Sequence, residues 1–203
     1  MKNKKLVYIF VLVILVTAVL LFWKLNADRN YSNVSSAEAV DEIEKYGYIL
    51  YENKNEYYKE VFKELKELLN SENVDDKKYA EIIAELFVVD FYSLDDKISN
   101  TDVGGIDFIY PPAKDKFVLK ATDTIYKYVK SNVYGDREQE LPIVKEVKIN
   151  KNEQTIFKSD SISDEKSYNI TVDISYEKDL EYPTSVTLTL IHSGNKIYIV
   201  EVK

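Results

Sequence analysis

Leu6 to Trp23 reads LVYIFVLVILVTAVLLFW, 18 residues without a charge, and this run constrains everything that follows it. At about 1.5 Å per residue it covers a hydrocarbon core of roughly 30 Å. As a helix it satisfies its own backbone groups in lipid, where no water can. Lys24 ends the run and Trp23 suits the lipid–water interface. A cleaved signal peptide and a buried core helix are the competing readings. The Lys2, Lys4, Lys5 start fits a signal peptide. The run is longer than the usual ~7–15 apolar residues of such a peptide, and no small-residue cleavage site follows. The sequence therefore predicts an uncleaved single-pass anchor in which 1–24 form a cytoplasmic tip and span. Three Lys precede the span, while Asp28 offsets one of the two following cations, Lys24 and Arg29. That bias puts the N-terminus in the cytoplasm and the remainder outside the cell membrane.

Charge sets the second constraint. The chain carries 27 Lys and Arg against 35 Asp and Glu, and four of the Lys lie within residues 1–24, which hold no acid. The rest has 23 basic against 35 acidic residues, a net of −12. Such a domain repels nucleic acid and anionic headgroups, and no basic stripe with interleaved aromatics offsets this. There is no Cys, which removes disulfides, thiolate nucleophiles, iron–sulfur clusters and Cys-ligated zinc. A Cys-free chain rich in Lys, Asn and Tyr fits a bacterial membrane protein.

Beyond the span, NADRNYSNVSS (26–36) reads as a linker. Ala37–Lys45 suits a short helix and Tyr46–Tyr51 an extended segment, so 25–54 is expected to lead into a domain over 55–203. The first helix is expected over Asn55–Leu69, capped by Asn53, with Tyr58, Val61, Phe62, Leu65 and Leu69 on one face. A second, over Asp75–Leu94, is apolar almost all round and hence central. SNTDVGG is turn chemistry, Ile106–Tyr110 a short strand, and Ala113–Lys130 a third helix. From Pro142 the period changes to two. Ile143–Ile149 is one strand, Asn150–Asn152 a turn, and Thr155–Lys158 a weak second strand. Tyr168–Tyr176 alternates strictly. Val186–Leu190 and Lys196–Val202 flank a turn at Ser193–Asn195. Helices segregated from an antiparallel sheet of about four to six strands define an α+β domain.

This order resembles the nuclear transport factor 2-like fold, a cone of helices on a bent sheet. The matching pieces are YAEIIAELFVVDFYSL, GGIDFIYPP, FVLKATDTIYKYV and the strands after Pro142. Single-span proteins with such a domain resemble scaffold subunits of type IV secretion and conjugation machines. The resemblance implies assembly through protein contacts with no chemistry of its own, and it assigns no residue a role.

Asp90 is the sharpest candidate for chemistry, on the apolar face of the second helix. An isolated buried carboxylate has a raised pKa and could serve as general base or ligand anchor. A structural acid with hydrogen-bond donors around it is the weightier reading. A pocket near Asp90 would include Tyr79, Phe87 and His192. His192, the sole His, could form a dyad with Asp90, although its place beside the hairpin turn favours exposure. Asp95, Asp96, Asp102 and Asp107 lack calcium-loop spacing, so no metal is expected. Gly104–Gly105 lacks a phosphate-loop context, and no nucleophile elbow surrounds any Ser. No catalytic residue and no cofactor are therefore expected. The leading expectation is a non-enzymatic interaction or scaffold module that binds a protein partner or itself. A small-ligand-binding module is the alternative, and an enzyme using Asp90 is the remaining one.

Overall fold

The computed structural model describes residues 37–203, and these form one compact unit, Ala37–Lys203. The expected anchor, 6–23, and the expected linker, 26–36, lie outside the described residues. No helix among the described residues is long and apolar enough to cross a membrane.

The unit opens with an antiparallel hairpin, β1 (Ala39–Ile43) and β2 (Tyr48–Tyr51), turning at Gly47 with φ 61°. A helix was the expectation for 37–45. The pairing with β2 overrides that weak local preference, because Ile43, Tyr46, Tyr48 and Leu50 are all buried in the shared core. The folded unit thus begins well before residue 55.

Helix α1 (Glu56–Leu69) starts at Asn55, whose side chain accepts from the Tyr58 N–H. The cap is two residues later than expected at Asn53. The face Tyr58, Val61, Phe62, Leu65 and Leu69 is buried as its 3.6-residue period requires. Helix α2 (Asp76–Tyr92) is capped by Asp75 and buries residues on every side, including Leu86 and Phe87 at 0% exposure. Each such side chain contributes roughly 1.5–3 kcal/mol by burial.

The expected strand over Ile106–Tyr110 is instead a 3₁₀ turn, Ile106–Phe108, begun by Gly105 at φ 72°. Only Ile109 pairs, in parallel, with Ile199, and the Tyr110 N–H donates to the Ile199 carbonyl at 2.9 Å. Pro111 and Pro112 follow without N–H groups and stop the ladder.

A second 3₁₀ turn (Pro111–Ala113) leads into α3, which covers Lys114–Asp123 and ends seven residues before the expected Lys130. Tyr126 explains the early stop. Its ring is fully buried, and its hydroxyl donates to the Phe91 carbonyl (2.7 Å) and accepts from the Gly104 N–H (3.0 Å). The chain must leave the helix to bring that side chain inward.

The remaining strands are β3 (Val144–Lys158), β4 (Ser163–Tyr176), β5 (Ser185–Ser193) and β6 (Lys196–Val202), an antiparallel meander in that order. β3 is continuous through Asn150–Asn152, where a turn was expected. A register shift between Ile149 and Lys151 absorbs the break in alternation. Further shifts at Val144/Glu146, Thr155/Phe157 and Thr189/Leu190 curve the sheet. Ile170, Val172 and Ile174 of β4 face the core. The domain is therefore α+β, with three helices packed on a curved four-stranded antiparallel sheet.

Candidate functional site

Asp90 is placed on α2 as the sequence requires, but its surroundings are not those of a reactive acid. It is 8% exposed. Lys54 Nζ lies 2.6 Å and Lys97 Nζ 3.0 Å from its Oδ1, and the Gly105 N–H donates to Oδ2 at 2.9 Å. Burial alone would raise its pKa. The two ammonium groups and these hydrogen bonds outweigh burial and hold the carboxyl well below the usual range. The raised pKa expected from sequence is thus reversed. Lys97 is itself 4% exposed and also pairs with Asp96 at 2.7 Å. Burial pulls its pKa down, but Asp90 and Asp96 together carry it upward. This cluster ties α2 to the turn before α1, which carries Lys54, and to the loop after α2, which carries Lys97 and Gly105.

The glycines beside it have a packing reason. A Cβ on Gly104 would overlap the Asp90 main-chain carbonyl, and one on Gly105 would come within 2.7 Å of the Phe87 ring. The Asp90 carboxylate then holds this close-fitting loop by its Gly105 contact. Asp90 borders neither the cavity beneath the β1–β2 hairpin nor the groove between α3 and β6.

Tyr79 and His192 make their contacts away from Asp90, and Phe87 packs against the same Gly105 that donates to Asp90. Phe87 is a core residue stacked on Phe91 with centroids 5.2 Å apart. The Tyr79 hydroxyl shares a 2.7 Å hydrogen bond with that of Tyr48, tying α2 to the N-terminal hairpin. Burial pushes the Tyr79 phenol up to about 12, so it is neutral at any physiological pH.

His192 forms no dyad with Asp90. Its Nδ1 lies 2.8 Å from Asp164 and its Nε2 3.0 Å from Asp76, while the Tyr168 hydroxyl donates to Asp76 at 2.7 Å. The carboxylates take opposite nitrogens of the ring and do not converge on one point. Among the described residues no group of His, Asp and Glu has the arrangement of a metal site. The bridge joins the start of α2, the start of β4 and the end of β5. Burial lowers the His192 pKa, but hydrogen bonds to Asp164 and Asp76 and their charges raise it further, to above 6.5. The carboxyl of Asp164 is raised by burial but lowered more by the His192 main-chain and side-chain contacts, and ends below 3.8.

The pH sign follows from these directions. The histidine contribution is complete below about 6.5 and is lost as pH rises through the higher folded value. The Asp164 contribution is lost as pH falls below about 3.8. His192→Gln is therefore expected to cost about 1 kcal/mol near pH 6, the partial exposure of the bridge limiting the effect. The deficit should shrink as pH approaches 9. Urea unfolding at pH 6 and pH 9 checks this, and a pH-independent deficit contradicts it.

The largest opening described lies elsewhere. Helix α3 buries only Ala121, and Phe117 is half-buried, so the helix stands off the sheet. Between it and β6 runs a groove of about 630 Å³. Phe91, Ile109, Phe117 and Ile199 form its apolar floor, and Lys116, Lys120 and Lys203 stand on its rim. Lys116 and Lys120 are one helical turn apart on α3 and make no ion pair among the described residues. Lys203 is taken by Glu201 at 2.6 Å.

One wall of the groove is the outer edge of the sheet. Thr187 and Lys203 exchange both main-chain hydrogen bonds at 2.9 Å. By the alternation of an antiparallel ladder, the N–H and C=O of Val202 face away from β5, into the groove. Along this edge, among the described residues, the Ile197 N–H donates to the Tyr79 hydroxyl at 3.4 Å and the Ile199 carbonyl accepts from Tyr110, while Val202 has no such partner. Nothing in the residue pattern signals an open groove here. Lys116 and Lys120 look like a solvated helix face unless one knows how far α3 stands from the sheet. No family model matches this chain, and no curated protein or solved structure is similar to it at a significant level.

Proposed function

We propose that the chain is a single-pass membrane protein held by residues 6–23, whose acidic domain is a non-enzymatic interaction module outside the cytoplasm. The domain takes an extended apolar segment of a partner protein, flanked by acidic residues, into the groove between α3 and β6. The observation that carries this reading is the uncovered β6 edge beside an apolar floor. Main-chain groups of a guest strand would complete the ladder, and its alternate side chains would fill the floor. Ile109 and Tyr110 already make the first contact of such a parallel addition at Ile199. Lys116 and Lys120, without an ion pair among the described residues, favour acidic flanks. Leu119, Tyr128, Val133 and Tyr134 are 65–89% exposed on α3 and the segment after it, adding apolar surface nearby.

The order of helices followed by a four-stranded meander supports reading the domain as a nuclear transport factor 2-like cone with a scaffold role. A non-enzymatic role is supported by Asp90, whose charge is fully engaged and which borders neither cavity. The size of the groove favours a small apolar ligand as the second reading.

Two experiments test the proposal. Protease added to intact cells should remove residues 37–203, and a chain found freely soluble after lysis contradicts the anchor. Peptides selected from a random library on the 203-residue chain in detergent should alternate apolar residues between acidic ones. Selection of no such peptides, with binding of fatty acid instead, favours the small ligand.

A further inference from the structure

A second cavity, of about 240 Å³, lies between the β1–β2 hairpin, α1, the 3₁₀ turns and the start of β6. It shares no residue with the groove. Tyr58 lines it and is 5% exposed, yet its hydroxyl makes no hydrogen bond among the described residues. The Tyr48 and Tyr79 hydroxyls, by contrast, satisfy each other. Burial, helped by Asp90, Asp107 and Tyr51, drives the Tyr58 phenol well above 10. It is therefore a neutral O–H donor on the cavity wall, available to an acceptor bound there.

Two cations stand in the same cavity. Lys196 Nζ lies 4.2 Å over the Tyr48 ring and donates to the Gly47 carbonyl at 3.2 Å. Lys114 also lines the wall, and neither lysine makes an ion pair among the described residues. Burial lowers the Lys196 pKa, Asp107 opposes this, and the charge of Lys114 lowers it again. The two ammonium groups thus repel each other across the cavity, and Asp107 is the carboxylate that acts on Lys196. The excess cation and the unused hydroxyl both call for an anionic acceptor. The walls add a shape. Tyr51 and Tyr198 present aromatic surface, and the volume falls below the ~300 Å³ of drug-sized sites. One ring fits that space.

We propose that this cavity binds a small organic acid built on a single six-membered ring. Its carboxylate is taken by Lys196 and Lys114, with the Tyr58 hydroxyl as a further donor, and its ring lies against Tyr51 and Tyr198. A sugar acid and an aromatic acid share this chemistry. Calorimetric titration of the 203-residue chain in detergent with glucuronate, benzoate, glucose and inorganic phosphate separates the sources. At least one of the two acids should bind with a dissociation constant on the order of 1 mM. Glucuronate alone identifies a sugar acid, and benzoate alone an aromatic acid. Glucose and phosphate should bind about tenfold more weakly or not at all, because each lacks half of the recognised chemistry.

Lys196→Gln and Lys114→Gln should each weaken the acid about tenfold, and Tyr58→Phe about threefold. Lys114 is half-exposed, and its side chain makes no hydrogen bond among the described residues; its main-chain N–H, which the substitution leaves in place, donates to the Pro111 carbonyl. Its variant therefore keeps the fold even if the Lys196 variant does not. Binding of neither acid, phosphate as strong a ligand as the acids, or unchanged affinity in the Lys114→Gln variant overturns the proposal.

Discussion

Asp90→Asn is expected to lower the unfolding free energy of the domain by about 3 kcal/mol, the low end of what breaking a buried ion pair costs. The amide keeps the shape of the side chain and removes its charge. Lys97, 4% exposed, then retains only Asp96 as counter-ion, and Lys54 loses its 2.6 Å partner. The Gly105 N–H exchanges an ionised acceptor for a neutral one at best. Against a total stability of roughly 5–15 kcal/mol this is a large share. The melting temperature should fall by about 6–12 °C in a domain of this size.

The pH dependence of that deficit identifies its origin. The folded pKa of Asp90 is depressed, so its contribution is present above the unfolded value near 3.8 and is lost as pH falls through the folded one. The gap between wild type and Asp90→Asn should therefore hold down to about pH 4 and close below it. A second substitution, Lys97→Met, should recover part of the loss by removing the stranded cation. Circular dichroism during urea unfolding measures the wild type and both variants. An Asn variant as stable as the wild type contradicts the clamp and returns the carboxylate to the list of groups free for chemistry.

Much of the fold could be read from periodicity, and the failures have a common cause. The apolar faces of α1 and α2 and the alternation of β4 were legible because each follows one unbroken period over many residues. The hairpin at 39–51 was not, since its strand identity comes from pairing and from the burial of Ile43 and Tyr48. The early end of α3 depends on Tyr126 reaching the Phe91 carbonyl, a contact 35 residues away in sequence. The candidate acid was found and its chemistry reversed for the same reason. Lys54 and Lys97 lie 36 and 7 residues from Asp90, and no local pattern marks either as buried. The groove was invisible because a gap between α3 and β6 is a property of tertiary distance alone.

The second large effect concerns that groove. Phe117 is half-buried, with its ring 5.2 Å from that of Phe91. Phe117→Glu puts a carboxylate on the apolar floor and repels the acidic flanks expected of the guest. Loss of a central aromatic anchor costs about 2–4 kcal/mol. Peptides selected on the wild-type chain should therefore bind this variant about a hundredfold more weakly. Lys120→Glu, on the rim, should weaken them less and mainly at low salt. Side-chain substitutions alone, however, do not distinguish a guest strand from any other apolar occupant.

Val202→Pro makes that distinction, because the N–H it removes faces the groove while β6 stays paired to β5 through its neighbours. Measured by calorimetry, the affinity of a selected peptide should fall about tenfold, with the melting temperature held within about 3 °C. A folded Val202→Pro variant that binds the peptide as tightly as the wild type would show that no strand is added at β6.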